Sequence, residues 1–285
     1  MTPAYHSNSN QAMTSSLVVL TDFFAVTNRA LSYAAGLAVP LNAHLVLLHV
    51  RHDDLLAPDI YADRHPRRDE GGTTQALREL AAGQPVPTEV DISDDFLPDA
   101  VREAVHRHNP LLLVLGRPGS ATDPSECVTS TALDLLRQAP FPLLIVPTVG
   151  WDGYPPKRLL LAVDGQPFHL CPHQDVLRRL LLTNQGTLNV VHVADDEQTR
   201  PAPGAVLRTV RASNLVDVLT ESDLHEIVQP KAMGGVLQEA ERQGADMLVV
   251  VARRHSLLGS LFHRSITAQL IQESPIPVLV LPAED

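Results

Sequence analysis

A glycine-containing loop carries the residues best suited to hold a phosphate group. Gly116 and Gly119 stand three positions apart, and nine further residues separate Gly119 from Thr129 and Ser130, which open a predicted helix. Glycine has no Cβ, so the backbone can approach a ligand closely. Ser130 and Thr131, with the unpaired N–H groups of a helix's first turn, form a natural anion site. The spacing therefore predicts a phosphate-binding loop.

An aspartate follows each of two similar apolar runs. Asp22 comes directly after Leu17–Thr21, and Asp164 comes after the run at 159–163. A carboxylate at such a strand end can accept hydrogen bonds from a ribose hydroxyl or a base amine. It can equally cap a nearby helix. Both copies would preserve the residue in either role, so the two interpretations remain open.

Short continuous apolar runs predict strands that are buried on both faces. Segments of helical length separate them, which indicates a parallel sheet with helices on both sides. Ligands bind such sheets beyond the carboxyl ends of the strands, where the candidate residues lie. The predicted strands are 17–21, 44–50, 88–93, 111–115, 143–146, 159–163, 187–193, 215–220, 246–251 and 278–281, and the predicted helices of the first half include 26–39, 98–107 and 130–138.

The chain repeats itself in order and at near-equal spacing. Leu47–Val50 returns as Val190–Val193, and Ala139–Pro147 returns as Ser274–Pro282. A repeat of this length is a whole domain. Each half is therefore predicted to be a doubly wound α/β domain with a five-stranded parallel sheet. We expect a disordered tail over 1–15, domain 1 over 16–148, a linker over 149–157 and domain 2 over 158–285.

The last strand of each half is apolar and predicted to end its sheet. An exposed apolar edge strand invites pairing with another strand. We therefore expect the two domains to pack as an intramolecular pseudo-dimer through these strands. Association of whole chains into a homodimer is compatible with this expectation but is not specified by it.

Net charge, apolar run length and cysteine content limit the kinds of partner and the cellular location that the sequence predicts. The net charge of −11 disfavours nucleic-acid backbone and anionic membrane as the main partner. No apolar run reaches the roughly 18 residues of a membrane span, and residues 1–16 lack the order of a signal peptide. Cys127 and Cys171 are the only cysteines and fall in different halves. These features predict a cytoplasmic protein without a disulfide framework.

Together these motifs resemble the universal stress protein family in its tandem form. The family's nucleotide loop reads Gly-x2-Gly-x9-Gly-Ser/Thr, which the stretch from Gly116 to Ser130 resembles. The resemblance covers nearly all of both halves. It also rests on Thr21-Asp22-Phe23, on Leu48-His49-Val50 and on Ala139-Pro140-Phe141-Pro142.

The resemblance implies an adenine nucleotide alpha hydrolase-like domain that binds ATP or a related adenine nucleotide in stress survival, without a defined reaction. Asp22 would then meet the ribose or adenine, and the Val50 backbone would meet adenine. Phosphates would be held by Gly116, Gly119, Thr129 and Ser130, with Thr131 beside them. Arg117 would offset part of the negative charge that Asp123 and Glu126 bring to the loop.

The sequence departs from that pattern at Thr129, where the family's ATP binders have glycine. If the position needs a positive φ, a non-glycine residue costs about 1–2 kcal/mol. The second-half loop departs further, since only Gly259 lies between Ala252 and Ser265. That half resembles family members that do not bind ATP, so nucleotide is expected in domain 1 only.

The second-half loop is also basic. Its side chains would either hold an anion directly or form a structural loop with solvated charges. The residues concerned are Arg253, Arg254, His255, His263 and Arg264.

Two other functional classes remain open. One is a ligand-free interaction scaffold, since both loops depart from the binding pattern. The other is a nucleotide hydrolase of the same superfamily, such as an ATP pyrophosphatase. That enzyme would need a Ser-Gly-Gly-x-Asp-Ser-like loop after the first strand, where this chain has Thr21-Asp22-Phe23-Phe24. The spacing His169-x-Cys171-x-His173 lacks a second ligand pair, so no metal site is predicted.

Overall fold

The computed structural model describes residues 15–21, 25–51, 70–117, 125–149, 154–171, 175–198, 200–202, 204–215, 219–253 and 265–284. In chain order the elements are β1 (Ser16–Leu20), α1 (Ala25–Leu41), β2 (His44–Val50), α2 (Glu70–Ala82), β3 (Thr88–Ser93), α3 (Leu97–His108), β4 (Leu112–Arg117), α4 (Ser125–Gln138), β5 (Leu143–Pro147), β6 (Arg158–Val163), α5 (Val176–Asn184), β7 (Thr187–Ala194), α6 (Ala205–Ala212), β8 (Leu224–Val228), α7 (Ala232–Gln243), β9 (Met247–Arg253), α8 (Ile266–Glu273) and β10 (Val278–Ala283).

Within the described ranges the ten strands form one continuous sheet, in the order β3-β2-β1-β4-β5-β10-β9-β6-β7-β8. Strands are parallel within each half. The halves join where β5 and β10 pair antiparallel, with Leu144 opposite Leu279. The expected α/β fold and pairing of the fifth strands are confirmed. Because the central pair is antiparallel, the strands of the two domains run in opposite directions. The carboxyl ends of the strands in domain 1 therefore lie on the opposite side of the sheet from those in domain 2.

Alternation along the strands fills two separate cores, one on each face of the sheet. In β1, Val18 and Leu20 pack on the face covered by α3, α4, α7 and α8. Leu17 and Val19 pack on the opposite face, which α1, α5 and α6 cover. Both faces of the central strands are therefore buried, which is why those strands are apolar throughout.

Two sequence predictions are wrong in position. The third strand of domain 2 was expected near 215–220, but β8 spans Leu224–Val228, and residues 216–218 lie outside the described residues. Leu215 and Leu219 are buried in the core on the α5 side. The edge strand itself reads Leu-His-Glu-Ile-Val and is only half-buried, so it lacks the continuous apolar run of a central strand.

The helix expected over 130–138 begins five residues earlier, at Ser125. Val128 is fully buried, one helical turn before the equally buried Ala132. The apolar face of α4 therefore extends past Ser130 towards the N-terminus, and its helical spacing is consistent with a helix that starts before Ser130.

Among the described residues, every helix is too short or too polar to span a membrane.

Candidate functional site

The carboxyl ends of β1, β2 and β4 bring several predicted residues to one edge of domain 1. β1 lies between β2 and β4, so the winding reverses beside it. Val50 ends β2 and is buried, and Gly116 lies in β4 opposite Val146. Such a switch point is where open α/β sheets bind ligands. Asp22 and Gly119, the other predicted residues of this edge, lie outside the described residues.

Thr21 adds a polar group that the sequence analysis did not single out. Its amide donates to the Leu48 carbonyl (2.9 Å), and its carbonyl accepts from His49 Nδ1 (3.0 Å). The Thr21 hydroxyl is buried and has no hydrogen-bond partner within the described part of the chain. A buried hydroxyl without a partner is costly. Thr21 directly precedes Asp22, so it can serve as a hydrogen-bonding group at the same strand end.

The far side of the loop differs from the prediction because α4 starts early. Ser130 and Thr131 lie in the second turn of α4 rather than at its N-terminus, and both are half-buried. The main-chain N–H groups of the first turn belong instead to residues 125–128. Thr129 is 2% exposed and does not have a positive φ. The strain considered for Thr129 is therefore absent from this conformation.

Arg117 contacts domain 2. Its guanidinium Nη1 and Nη2 donate to the carbonyls of Gln272 and Ser274 at the C-terminal end of α8, and the side chain is 6% exposed. Burial lowers the pKa of the Arg117 guanidinium. Cations are favoured at helix C-termini, where the unpaired carbonyls concentrate negative charge. Arg117 thus links the start of the candidate loop to the partner domain.

Arg253 behaves differently at the carboxyl edge of domain 2. Its Nε and Nη2 donate to the two carboxylate oxygens of Asp164 at 2.9 and 3.0 Å. Nη1 and Nη2 also donate to the carbonyls of Pro167 (2.6 Å) and Gln166 (2.8 Å). The guanidinium carbon lies 6.0 Å from the centre of the Phe168 ring. Of the two interpretations of the basic loop, solvated charge is wrong for Arg253, which is buried.

Strand register explains why the two arginines diverge. Pro147 and Pro282 are equivalent in the repeat, and they pair with Arg117 and Ala252 respectively. Arg253 is therefore one position further along its strand than Arg117. A shift of one residue moves a side chain to the other face of a sheet. Arg117 consequently faces α8, whereas Arg253 faces Asp164.

A separate cavity of about 260 Å³ lies between β3 and α3, and its described lining includes no predicted site residue. Two of the carboxylates that line it, Asp91 and Glu103, are already in ion pairs. Asp91 accepts from Arg107 and lies 2.9 Å from His108, and Glu103 also pairs with Arg107. His173, of the His-x-Cys-x-His spacing, lies outside the described residues, and the described residues contain no group of three or more potential metal ligands.

Known proteins share this architecture with the chain. The model of the universal stress protein family matches residues 13–147 and 156–282. A universal stress protein from Archaeoglobus fulgidus has a similar structure, with a TM-score of 0.63 at 17% identity over 96% of this chain and 98% of that chain. A putative universal stress protein from Pseudomonas aeruginosa gives a TM-score of 0.58 at 20% identity over 96% and 94%.

A functionally unknown protein from Pseudomonas aeruginosa is similar to the same extent, with a TM-score of 0.57 at 20% identity over 95% of this chain and 94% of that chain. None of the curated proteins matches the chain. At these identities the structural likeness establishes the fold, while the family match covers both halves. The chain belongs to the universal stress protein family and contains two of its domains in tandem.

Proposed function

We propose that this chain is a non-catalytic stress-response protein that binds ATP or a related adenine nucleotide in domain 1 only. The observation that carries the proposal is an asymmetry between the domains. In domain 2 the strand-end aspartate, Asp164, is occupied by the guanidinium of Arg253. In domain 1 the residue equivalent to Arg253 by register is Pro118, which has no charged group to offer Asp22.

The adenine and ribose side of this site is supported by three features of domain 1. Val50 ends β2 beside β1 and offers its backbone, as the family resemblance implies. The Thr21 hydroxyl has hydrogen-bonding capacity that no described group uses. Gly116 keeps the end of β4 free of a side chain. Asp22 is the proposed acceptor for the ribose or the adenine amine.

The phosphate side is proposed to use Gly116, Gly119 and the first turn of α4. The helix begins at Ser125, so its unpaired N–H groups and its positive end lie there. Thr129, Ser130 and Thr131 remain predicted contacts, but they reach phosphate only if the first turn of α4 rearranges. Arg117 would offset part of the negative charge of the loop while its side chain remains beside α8.

A ligand-free interaction scaffold is the second candidate. The engagement of Arg117 with the α8 carbonyls favours it, because that guanidinium is directed to the domain interface. The early start of α4 also favours it, since Ser130 and Thr131 then lie within the helix.

Mass spectrometry of small molecules released from the purified, denatured protein tests the proposal. After loading with ATP and removal of free ligand, we expect one adenine nucleotide per chain. The Asp164→Ala variant is the matched control and should release the same amount. A ratio of two per chain would contradict confinement to domain 1, and no nucleotide after loading would favour the scaffold.

A further inference from the structure

The edge strand of domain 1 has backbone hydrogen-bonding groups on its outer side. β3 ends the sheet, and among the described strands it pairs with β2 alone. The Leu45 amide donates to the Pro87 carbonyl at 2.9 Å. Backbone groups alternate along a parallel strand, so those that point away from β2 belong to Thr88, Val90 and Ile92. β3 contains no proline, so an added strand can pair along its whole length.

The cavity of about 260 Å³ on the α3 side of β3 has a negative lining. Its charged side chains are four carboxylates and one guanidinium, namely Asp91, Asp94, Asp95, Glu103 and Arg107. Arg107 pairs with Asp91 and Glu103, and Arg51 pairs with the exposed Asp94. The carboxylates outnumber these two arginines, so the cavity suits an additional cationic side chain.

The opposite face of β3 borders a groove of about 600 Å³, formed with α2 and the connection between the two elements. Much of its lining is apolar, from Ala81, Ala82, Val86 and Val90. Arg78 adds a positive charge to this lining. The groove therefore suits apolar side chains and repels cationic ones.

An exposed aromatic side chain adds apolar surface just beyond the same strand. Phe96 lies three residues after Ser93, the last residue of β3, and is 70% exposed at the start of α3. Aromatic residues are enriched at protein interfaces. Phe96 therefore offers a contact to a bound segment that continues past the end of β3.

Charge on β3 argues against a second copy of this strand as the occupant. The symmetric antiparallel pairs that keep most of β3 in register are centred on Val90 or on Asp91. The first sets Glu89 opposite Asp91 of the second copy, and the other sets the two copies of Asp91 opposite each other. Like charges directly opposite destabilise a strand pair. A strand that carries cations is favoured instead.

We propose that the outer edge of β3 binds an extended peptide segment of a partner protein in which apolar and basic residues alternate. The segment adds to the sheet as a further strand, and backbone hydrogen bonds to β3 supply affinity. Successive side chains of a strand point to opposite faces. Apolar residues therefore enter the groove against α2, and lysine or arginine residues enter the cavity against α3. The inference is independent of nucleotide binding in domain 1.

Fluorescence anisotropy with a labelled synthetic peptide of alternating valine and lysine tests this inference on the full chain. The peptide should bind the wild type, and added salt should weaken the binding. The same peptide methylated on its backbone nitrogens keeps its charge but loses its donors, so it should bind at least about tenfold more weakly. Equal binding of the two peptides would indicate attraction to an acidic protein alone and would overturn the inference. Failure of the unmethylated peptide to bind would overturn it as well.

Val90→Pro is the matched variant of the protein. The Val90 N–H points away from β2, so proline removes a donor of the outer edge and leaves the pairing with β2 in place. Binding of the valine–lysine peptide should weaken at least about tenfold. Unchanged binding would contradict the assignment to β3. The comparison of the two peptides on the wild type decides the matter even if Val90→Pro fails to fold.

Val228→Pro is the control at the other end of the sheet. The Gln229 amide donates to the Ala194 carbonyl at 2.9 Å, so the Val228 N–H lies on the outer side of β8. This variant should bind the peptide as the wild type does, and an equal loss in both variants would overturn the choice of edge. Wild-type dimers in sedimentation that Val90→Pro dissociates would assign the β3 edge to a second copy instead and would also overturn the inference.

Discussion

Two buried arginines near the ends of β4 and β9 bind different partners, and the difference determines how each domain can interact with a ligand. Arg253 donates hydrogen bonds to Asp164 and to two loop carbonyls of its own domain. Arg117 binds carbonyls of the other domain. In the sequence, Gly116-Arg117 resembles Ala252-Arg253. The strand register shows instead that Arg117 is equivalent to Ala252. The role of a residue at a strand end therefore depends on which face of the sheet its side chain lies on. Composition and motif spacing do not reveal that face.

Arg253→Met should lower the free energy of unfolding by about 2 kcal/mol. The substitution keeps a long apolar side chain but removes the guanidinium that donates to Asp164 and to the carbonyls of Gln166 and Pro167. Urea denaturation measures the change. Arg102→Met is the control, because Arg102 pairs with Asp99 at the exposed surface and such pairs contribute under about 1 kcal/mol. Equal effects of the two variants would contradict a structural role for Arg253.

Asp246 gives stability a defined pH dependence. Burial alone would raise the pKa of Asp246, but hydrogen bonds from the Arg158 side chain and from the Arg158 and Lys157 amides hold the pKa below its usual value. Because the folded pKa is lowered, this stability is present above the unfolded value of about 3.9 and is lost as the pH falls through the folded pKa.

The measurement is urea denaturation of the wild type and Asp246→Asn at pH 6 and at steps below pH 4. The wild type should be more stable at pH 6, and the difference should shrink as the pH falls. A difference that stays constant over the acid range would show that the Asp246 charge does not contribute.

At the scale of elements, one inner strand and one edge strand of domain 1 follow directly from the sequence. β2 and β3 have the predicted bounds because their apolar or alternating pattern leaves no other register. The start of α4 was not predicted, since Thr129 and Ser130 look like a helix cap when read with the glycines. Pro124 and the buried Val128 were the available signals, because proline suits a helix's first turn. β8 was missed because the neighbouring stretch 215–220 is the more apolar of the two, although Leu215 and Leu219 pack into the core on the α5 side instead of forming a strand.

Thr129→Gly tests the helical placement of this residue. If Thr129 occupies a strained turn, glycine should stabilise the protein and favour nucleotide. Because Thr129 is instead helical and buried, glycine should lower the free energy of unfolding by about 1–2 kcal/mol through lost propensity and packing. Thr131→Gly in the same helix is the control and should cost less, since Thr131 is half-buried. Stabilisation by Thr129→Gly in thermal melts would contradict this placement.

At the scale of the whole molecule, the β5–β10 pair merges two domains into one sheet. The repeat and the apolar fifth strands were enough to predict this join. The sequence did not indicate that Arg117 and α4 attach the candidate loop to α8, because that contact depends on how the helices meet across the join. We therefore expect the tandem to unfold as one cooperative unit.

Leu144→Ala should shift one unfolding transition rather than produce two. Leu144 is fully buried and lies opposite Leu279 at the join, so its truncation should cost about 2–5 kcal/mol. Circular dichroism and the fluorescence of Trp151, the only tryptophan, should report the same midpoint in urea. Two separated midpoints in the wild type would contradict cooperative unfolding.

Titration calorimetry with ATP tests the central claim, a single nucleotide site in domain 1, most directly. The wild type should bind one ATP per chain. Gly119→Val should abolish binding, because branched side-chain atoms would occupy the space that the phosphates need, and Asp164→Ala should leave the affinity nearly unchanged. Two equivalent sites, or loss of binding on changing Asp164 but not Gly119, would contradict the assignment of the site to domain 1.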